Sequence, residues 1–222
     1  MIELSFAHYL KQHPTHSFDN HHTLLYQGEI PRYVYIIKSG VVKVYTISHS
    51  GDERIITYYS SSDILPCEWI FNKTPASLYF YETVVASEVY CLRKQELLDL
   101  AYSDSSVARE LLFRIATMYV GSNIHINAIE QSRASDKVSH ILMYVAMQFG
   151  AISSDKVYQV DVKLSQQQFA NMVGLARETT TIEFGKLKKK GIVEYSGGIY
   201  KIHLARLQEL MGEDDVRTIN LQ

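Results

Sequence analysis

The segment from Leu164 to Gly191 holds two short apolar patterns at helical spacing, separated by a single glycine, Gly174. Ser165 stands at a cap position, and Gln168 three residues on can return the hydrogen bond, forming a capping box. Phe169, Met172 and Val173 then share one helical face. Gly174 can take the positive φ that stops a helix within one residue. Leu175 restarts the apolar pattern, and Thr180, Phe184 and Leu187 continue it. That face has to pack inward, so Arg177, Glu178, Thr181 and Gly185 are expected to point outward.

Two helices joined by so tight a turn have the layout of a helix-turn-helix, a module whose second helix enters the DNA major groove. On its outward face Arg177 can grip guanine bidentately and Glu178 can accept from cytosine N4. A surface helix with an ordinary ion pair is the competing reading of the same residues. The flanks favour the first. Ile192–Tyr195 and Ile199–Ile202 alternate about Ser196-Gly197-Gly198, a hairpin signal, and a recognition helix followed by a hairpin is a winged helix. Between Lys163 and Arg206 there are eight lysines and arginines against three glutamates, in a chain of formal charge −2. A local basic footprint on a near-neutral chain suits phosphate binding by one domain. Base contacts are expected from Arg177, Glu178, Thr181 and Ile182, and phosphate contacts from Ser165, Gln166, Thr179, Lys188 and Lys189.

Residues 24–92 read as short strands punctuated by Gly28, Gly40 and Gly51, which predicts an antiparallel barrel or roll. Tyr58, Tyr59, Tyr79, Tyr81 and Tyr90 crowd it together with Trp69 and Phe80. A long helical pattern follows over residues 105–132, with Val107, Leu111, Leu112, Ile115, Met118, Tyr119, Ser122, Ile126 and Ile129 in a stripe of nearly heptad spacing. A second helix over 137–149 carries Val138, Ile141, Leu142, Val145 and Phe149 on one face, with Ser135 or Asp136 as its cap. Residues 150–155 read as a polar loop. The expected organisation is α+β: a β-roll over 1–103, a dimerisation helix and hinge over 104–133, and a winged helix-turn-helix over 134–222.

With these parts in this order, the chain resembles the Crp/Fnr family of bacterial transcription regulators over nearly its whole length. The resemblance is carried by Leu164–Gly191 and by three stretches of the roll, Leu25-Tyr26-Gln27-Gly28-Glu29, Tyr35–Tyr45 and Gly51–Ile56. It implies that the long helix pairs with its twin, through Leu111, Ile115, Met118, Ser122, Ile126 and Ile129. It also implies a bacterial cytoplasmic protein. The partners to expect are double-stranded DNA, a second copy of the chain, RNA polymerase and a small-molecule effector of unknown identity. An effector pocket is expected near Cys67, Glu68, Trp69, Tyr79 and Tyr81. Two departures stand out. Family members that bind cyclic AMP carry a Gly-Glu pair and then an Arg followed by a small hydroxyl residue. Here the chain reads Pro66-Cys67-Glu68 and then Ser77-Leu78, with no positive charge between Lys73 and Arg93. A cyclic phosphate buried without a cation is poorly compensated, which argues against cyclic AMP. Members also usually carry an Arg on the recognition helix where this chain has Ile182.

Other sensors and classes are weighed on the same residues. The iron–sulfur version of the resembled family needs a cluster of cysteines near the N-terminus as ligands, and none precedes Cys67, which argues against such a cluster. Cys67 and Cys91 would make a redox pair only if their strands were adjacent. His13, His16, His21 and His22 would suit a metal but equally a solvated loop. No metal site and no catalytic residue is assigned, and the expectation is a non-enzyme. The alternatives are a cupin-like roll holding a ligand or metal and a cyclic-nucleotide-type module that regulates a protein partner. A cupin needs histidines meeting in the barrel, and His49 alone lies between His22 and His125. No apolar run reaches the ~20 residues of a membrane span, so no membrane partner is expected, and the first residues lack the features of a signal peptide.

Overall fold

The computed structural model describes residues 6–154 and 157–212. The chain forms two compact units, residues 1–118 and 119–222.

In the first unit a short helix α1 (Phe6–Leu10) precedes strands β1 (Thr15–Phe18), β2 (Thr23–Leu25), β3 (Val34–Ser39), β4 (Val42–Ile47), β5 (Glu53–Tyr59) and β6 (Ile64–Leu65). A helical turn α2 (Cys67–Ile70), strands β7 (Phe80–Thr83) and β8 (Ser87–Leu92) and helix α3 (Lys94–Ser103) follow. The strands build two antiparallel four-stranded sheets, ordered β1-β8-β3-β6 and β2-β7-β4-β5. The expected roll is therefore present. It begins earlier than the apolar pattern suggests, because exposed β1 is held by its pairing with β8 rather than by burial.

Strand alternation places Val42 and Val44 of β4 in one core with Leu25, Ile37, Leu65, Tyr81 and Val89. Lys43 between them and Tyr45 after them are buried as well. Lys43 Nζ lies 3.0 Å from Glu53 and 3.3 Å from Glu82 and sits 4.2 Å from the centre of the Tyr45 ring. A buried ammonium is tolerable when it is paired in this way. Between β3 and β4, Gly40 has φ +102°, and a Cβ there would lie 2.1 Å from Ser87 Oγ, so only glycine fits.

Helix α4 (Ser105–Glu130) is one continuous helix, as its apolar spacing predicts. Its apolar residues do not form a single stripe. Val107 and Leu111 are buried at 1% and 4% exposure, packed with Phe6, Leu10, Ile36, Leu92 and Leu97. Leu111 thus serves the core of its own roll and is not presented to a partner, a correction to the expected interface. Heptad spacing cannot tell a seam from two faces that overlap by one turn. Leu112, Phe113, Tyr119, Ile126 and Ile129 are the exposed set, at 68, 65, 67, 55 and 39%.

In the second unit α5 (Ala134–Phe149) is the central element. Every residue from Val138 to Met147 is buried, although the sequence suggests a single apolar face. The helix is covered on several sides, by α6 (Gln166–Val173), α7 (Arg177–Lys189), α8 (Leu204–Met211) and strands β9 (Gly150–Ser154) and β10 (Val157–Val160). Its cap position is Arg133, without a side-chain cap bond. Ser135 and Asp136 fall inside the first turn, where the Asp136 charge complements the helix dipole. The stretch expected as a polar loop is β9, which pairs antiparallel with β10. With β11 (Val193–Ser196) and β12 (Ile199–His203) these make a sheet ordered β11-β12-β10-β9.

Candidate nucleic-acid interface

The helix-turn-helix forms through the local bonds its sequence encodes. Ser165 Oγ accepts from the Gln168 main-chain N–H at 3.2 Å, and Gln168 Oε1 accepts from the Ser165 N–H at 2.7 Å. Gly174 ends α6 in the left-handed region, φ 64° and ψ 39°. Its N–H and that of Leu175 both donate to the Ala170 carbonyl. The last two carbonyls of α6 are served from outside. His125 Nε2 donates to Met172 at 2.9 Å, and Lys137 Nζ reaches Val173 at 3.4 Å. The turn is therefore anchored on both sides, which fixes where α7 begins.

Helix α7 buries Thr180, Phe184 and Leu187. Phe184 meets Phe169 edge-on with centroids 4.9 Å apart, and both rings meet Tyr200 of the wing. Tyr200 Oη donates to the Leu164 carbonyl at 2.7 Å, tying β12 to the start of the motif. This aromatic trio sets the height of the wing against the recognition helix. The opposite face is exposed: Arg177, Glu178, Thr181, Ile182, Gly185, Lys188 and Lys189. Ile182 is 60% exposed and does not tuck under the wing. Thr181 Oγ1 donates to the Arg177 carbonyl at 2.9 Å, so its methyl group is the part left to contact a ligand. Of the basic residues, Lys186 is engaged by Glu183 at 2.7 Å. The residues expected at phosphates split by exposure: Ser165, Lys188 and Lys189 are exposed, and Gln166 and Thr179 are half-buried.

The wing turns at Gly197 and Gly198, both at positive φ. Tyr195 on β11 is exposed at 51% and leans on Tyr200 with centroids 4.4 Å apart. Sequence reasoning did not single out Tyr195. Alternation puts Tyr195 on the same face as buried Val193, so the sequence pattern gives no sign that its ring is exposed.

In the roll, Cys67, Glu68 and Trp69 lie half-buried on α2, Tyr79 is half-buried and Tyr81 is fully buried. Tyr81 Oη donates to Glu68 Oε1 at 3.0 Å, so the structure brings these two together beneath α2. Lys94 Nζ donates to the Trp69 carbonyl and to Asn72 Oδ1, each at 2.6 Å, and sits 4.6 Å from the Trp69 ring centre. Burial pushes the Cys67 thiol up to about 12 and the Cys91 thiol up to about 11. Both are protonated at neutral pH and poor nucleophiles. Their strands are not neighbours, because β3 lies between β8, which holds Cys91, and β6, which leads into Cys67. Both cysteines are free thiols. Of the N-terminal histidines, His13 is held by Glu96 at 2.7 Å and His21 by Glu82 at 3.3 Å. Among the described residues no group of three His, Cys, Asp or Glu is placed to hold a metal ion, and no helix is long and apolar enough to cross a membrane.

Comparison with known proteins agrees with both units. Residues 15–104 match the cyclic nucleotide-binding domain and residues 136–211 the Crp-like helix-turn-helix domain. The chain is 23% identical over 184 residues to the regulatory protein HlyX of Actinobacillus pleuropneumoniae, spanning 82% of this chain and 74% of that one. It is 24% identical over 189 residues to the fumarate and nitrate reduction regulatory protein of Vibrio cholerae, spanning 83% and 73%. Among solved structures, FixK2 from Bradyrhizobium japonicum superimposes with a TM-score of 0.74 at 20% identity, over 89% of this chain and 96% of FixK2. A cyclic nucleotide-binding domain containing protein from Listeria monocytogenes gives 0.75 at 14%, over 89% and 95%. With its sensor-type roll, its long helix and its winged helix-turn-helix in this order, the chain belongs to the Crp/Fnr family of transcription regulators.

Proposed function

We propose that the protein acts as a homodimer in the bacterial cytoplasm. Its two recognition helices enter successive major grooves about 34–36 Å apart on a near-palindromic site. The observation that carries this reading is the division of α7, which buries Thr180, Phe184 and Leu187 and leaves Arg177, Glu178, Thr181 and Ile182 free to meet base edges. Ser165, Gln166, Thr179, Lys188 and Lys189 then lie at the phosphates and set register without reading sequence. Pairing of α4 with its twin is supported by Leu112, Phe113, Tyr119 and Ile126, large apolar side chains otherwise left in water. Ile115, Met118, Ser122 and Ile129 flank them, and Leu112, Tyr119 and Ile126 recur every seventh residue, as a coiled-coil seam requires. RNA polymerase is the partner through which a bound dimer would alter transcription, and no catalytic step is assigned to the chain. Selection from a random DNA library, with sedimentation of the free protein, tests the reading. A palindromic motif and a dimer are expected; a monomer that enriches no motif overturns it.

The roll is proposed to answer to a ligand other than cyclic AMP. Beneath α2 Tyr81 Oη donates to the Glu68 carboxylate, and the nearby Lys94 ammonium is bound to the Trp69 carbonyl and Asn72. Ser77, where a phosphate-binding arginine and hydroxyl would fall, is buried and gives its Oγ–H to the Tyr79 carbonyl at 2.8 Å. Calorimetry at millimolar cyclic AMP should give no specific heat, and saturable binding that also tightens DNA binding would overturn this.

A further inference from the structure

Gly185 lies in the middle of the exposed face of α7, one turn after Thr181 and one turn before Lys188. Glycine is the poorest helix former after proline, so its presence there needs a reason. Gly28, Gly51, Gly174 and Gly212 hold positive φ, and Gly40 and Gly150 lie against other chain atoms. Gly185 does neither. Its backbone is helical, and a Cβ built on it meets no atom within 4 Å. Nothing in the fold of the protomer demands a glycine at this position.

A cleft of about 200 Å³ opens beside it, between the recognition helix and the wing. Thr181, Phe184, Gly185 and Lys188 of α7 line it on one side and Val193, Glu194 and Tyr195 of β11 on the other, with Gln166 of α6, so that its lining offers apolar surface to a sugar as well as Lys188 to a phosphate. The cleft therefore joins the helix end, the lysine and the wing strand that a DNA backbone has to pass. Glu194 on its rim lies 3.9 Å from His203 Nε2.

We propose that this cleft seats the sugar–phosphate backbone of one DNA strand, and that residue 185 is glycine so that the strand can lie against the helix itself. This rests on the DNA-binding reading above and adds to it a specific point of closest approach. Lys188, one turn on, neutralises the phosphate held there. Glycine at a ligand's point of approach is a general use of the residue, and the price in helix propensity is the sign that it is used here.

The test compares the full chain with Gly185→Ala and Gly185→Leu, using a duplex selected by the unaltered protein. Alanine and leucine are better helix formers, and alanine meets no neighbour, so the thermal midpoint of Gly185→Ala should rise or stay level. Its affinity for the duplex should nevertheless fall roughly tenfold, the size of a modest steric clash, and that of Gly185→Leu should fall further. The base preferences recovered by selection should not change. Affinities of both variants within twofold of the unaltered protein would overturn the proposal. So would a lowered thermal midpoint for Gly185→Ala, since the glycine would then serve the protein's own packing. If the unaltered protein selects no duplex, the DNA-binding reading itself fails and the seat falls with it.

Discussion

His125 of α4 donates its Nε2–H to the Met172 carbonyl at the end of α6, 2.9 Å away, and its ring lies nearly parallel to Tyr144 at a centroid distance of 5.2 Å. The bond fixes the tautomer, with the proton on Nε2. It also makes the second half of the long helix part of the support of the DNA-binding motif. The last carbonyls of a helix have no partner within it, and a buried carbonyl left unpaired is costly. Replacing His125 with Leu keeps the bulk and removes the donor. We expect a loss of about 1–3 kcal/mol, read as an earlier unfolding transition. An unchanged midpoint would mean that water takes over at Met172.

Asp63 is 8% exposed and accepts the Ser60 N–H at 2.7 Å. Burial raises its pKa to about 6, against the opposing pull of that bond and of Arg114. The folded chain therefore holds this proton more tightly than the unfolded chain does. The stabilisation it brings is complete below the ordinary carboxylate pKa and is lost as pH rises through about 6. Asp63→Asn keeps an acceptor for Ser60 without the charge. It should be more stable than the parent at pH 8 by about 1–3 kcal/mol, and the gap should close by about pH 4. Urea midpoints at the two pH values decide this; a pH-independent gap would place the effect in packing.

Lys188 and Lys189 are both exposed at the C-terminal end of α7. If they neutralise phosphates, replacing both with Ala should weaken binding to all sequences alike and flatten log K against log salt by roughly one unit per contact. A slope that does not change would remove them from the interface.

The parts legible in the sequence are those encoded by local chemistry. Ser165 and Gln168 cap α6, Gly174 ends it, and the period of Thr180, Phe184 and Leu187 orients α7, all within a few residues of chain. What stays hidden depends on distant partners. Leu111 and Leu112 are adjacent and equally apolar, yet one fills the roll core and the other faces water, which only the placement of Phe6 and Leu97 decides. The strand β9 has no apolar alternation of its own and exists because β10 pairs with it. The cysteines are separated by β3, whose position between β8 and β6 follows from sheet order rather than chain order. His125 gives no sign in the sequence that it caps a helix 47 residues away.

In the proposed complex Ile182 stands where members of the resembled family usually carry an arginine, and its role is open to test. It is 60% exposed, beside Glu178 and Thr181, and its side chain has no polar atom to bridge Glu178 or to bond guanine. An apolar side chain in the major groove can meet only a thymine methyl. Arg177 and Glu178 are exposed together at the start of α7 and retain the chemistry to read a G·C pair. The selected half-site should therefore keep one G·C position and favour A·T beside it. Arg177→Ala should cost about 1–3 kcal/mol and relax that one position. Ile182→Arg should restore a bidentate donor and shift the neighbouring preference toward guanine while leaving the salt slope steeper, since a cation has been added. Selection run on the parent and on both variants separates the roles. If Ile182→Arg recovers the parent's motif unchanged, Ile182 stands outside the groove and only Arg177 and Glu178 read bases.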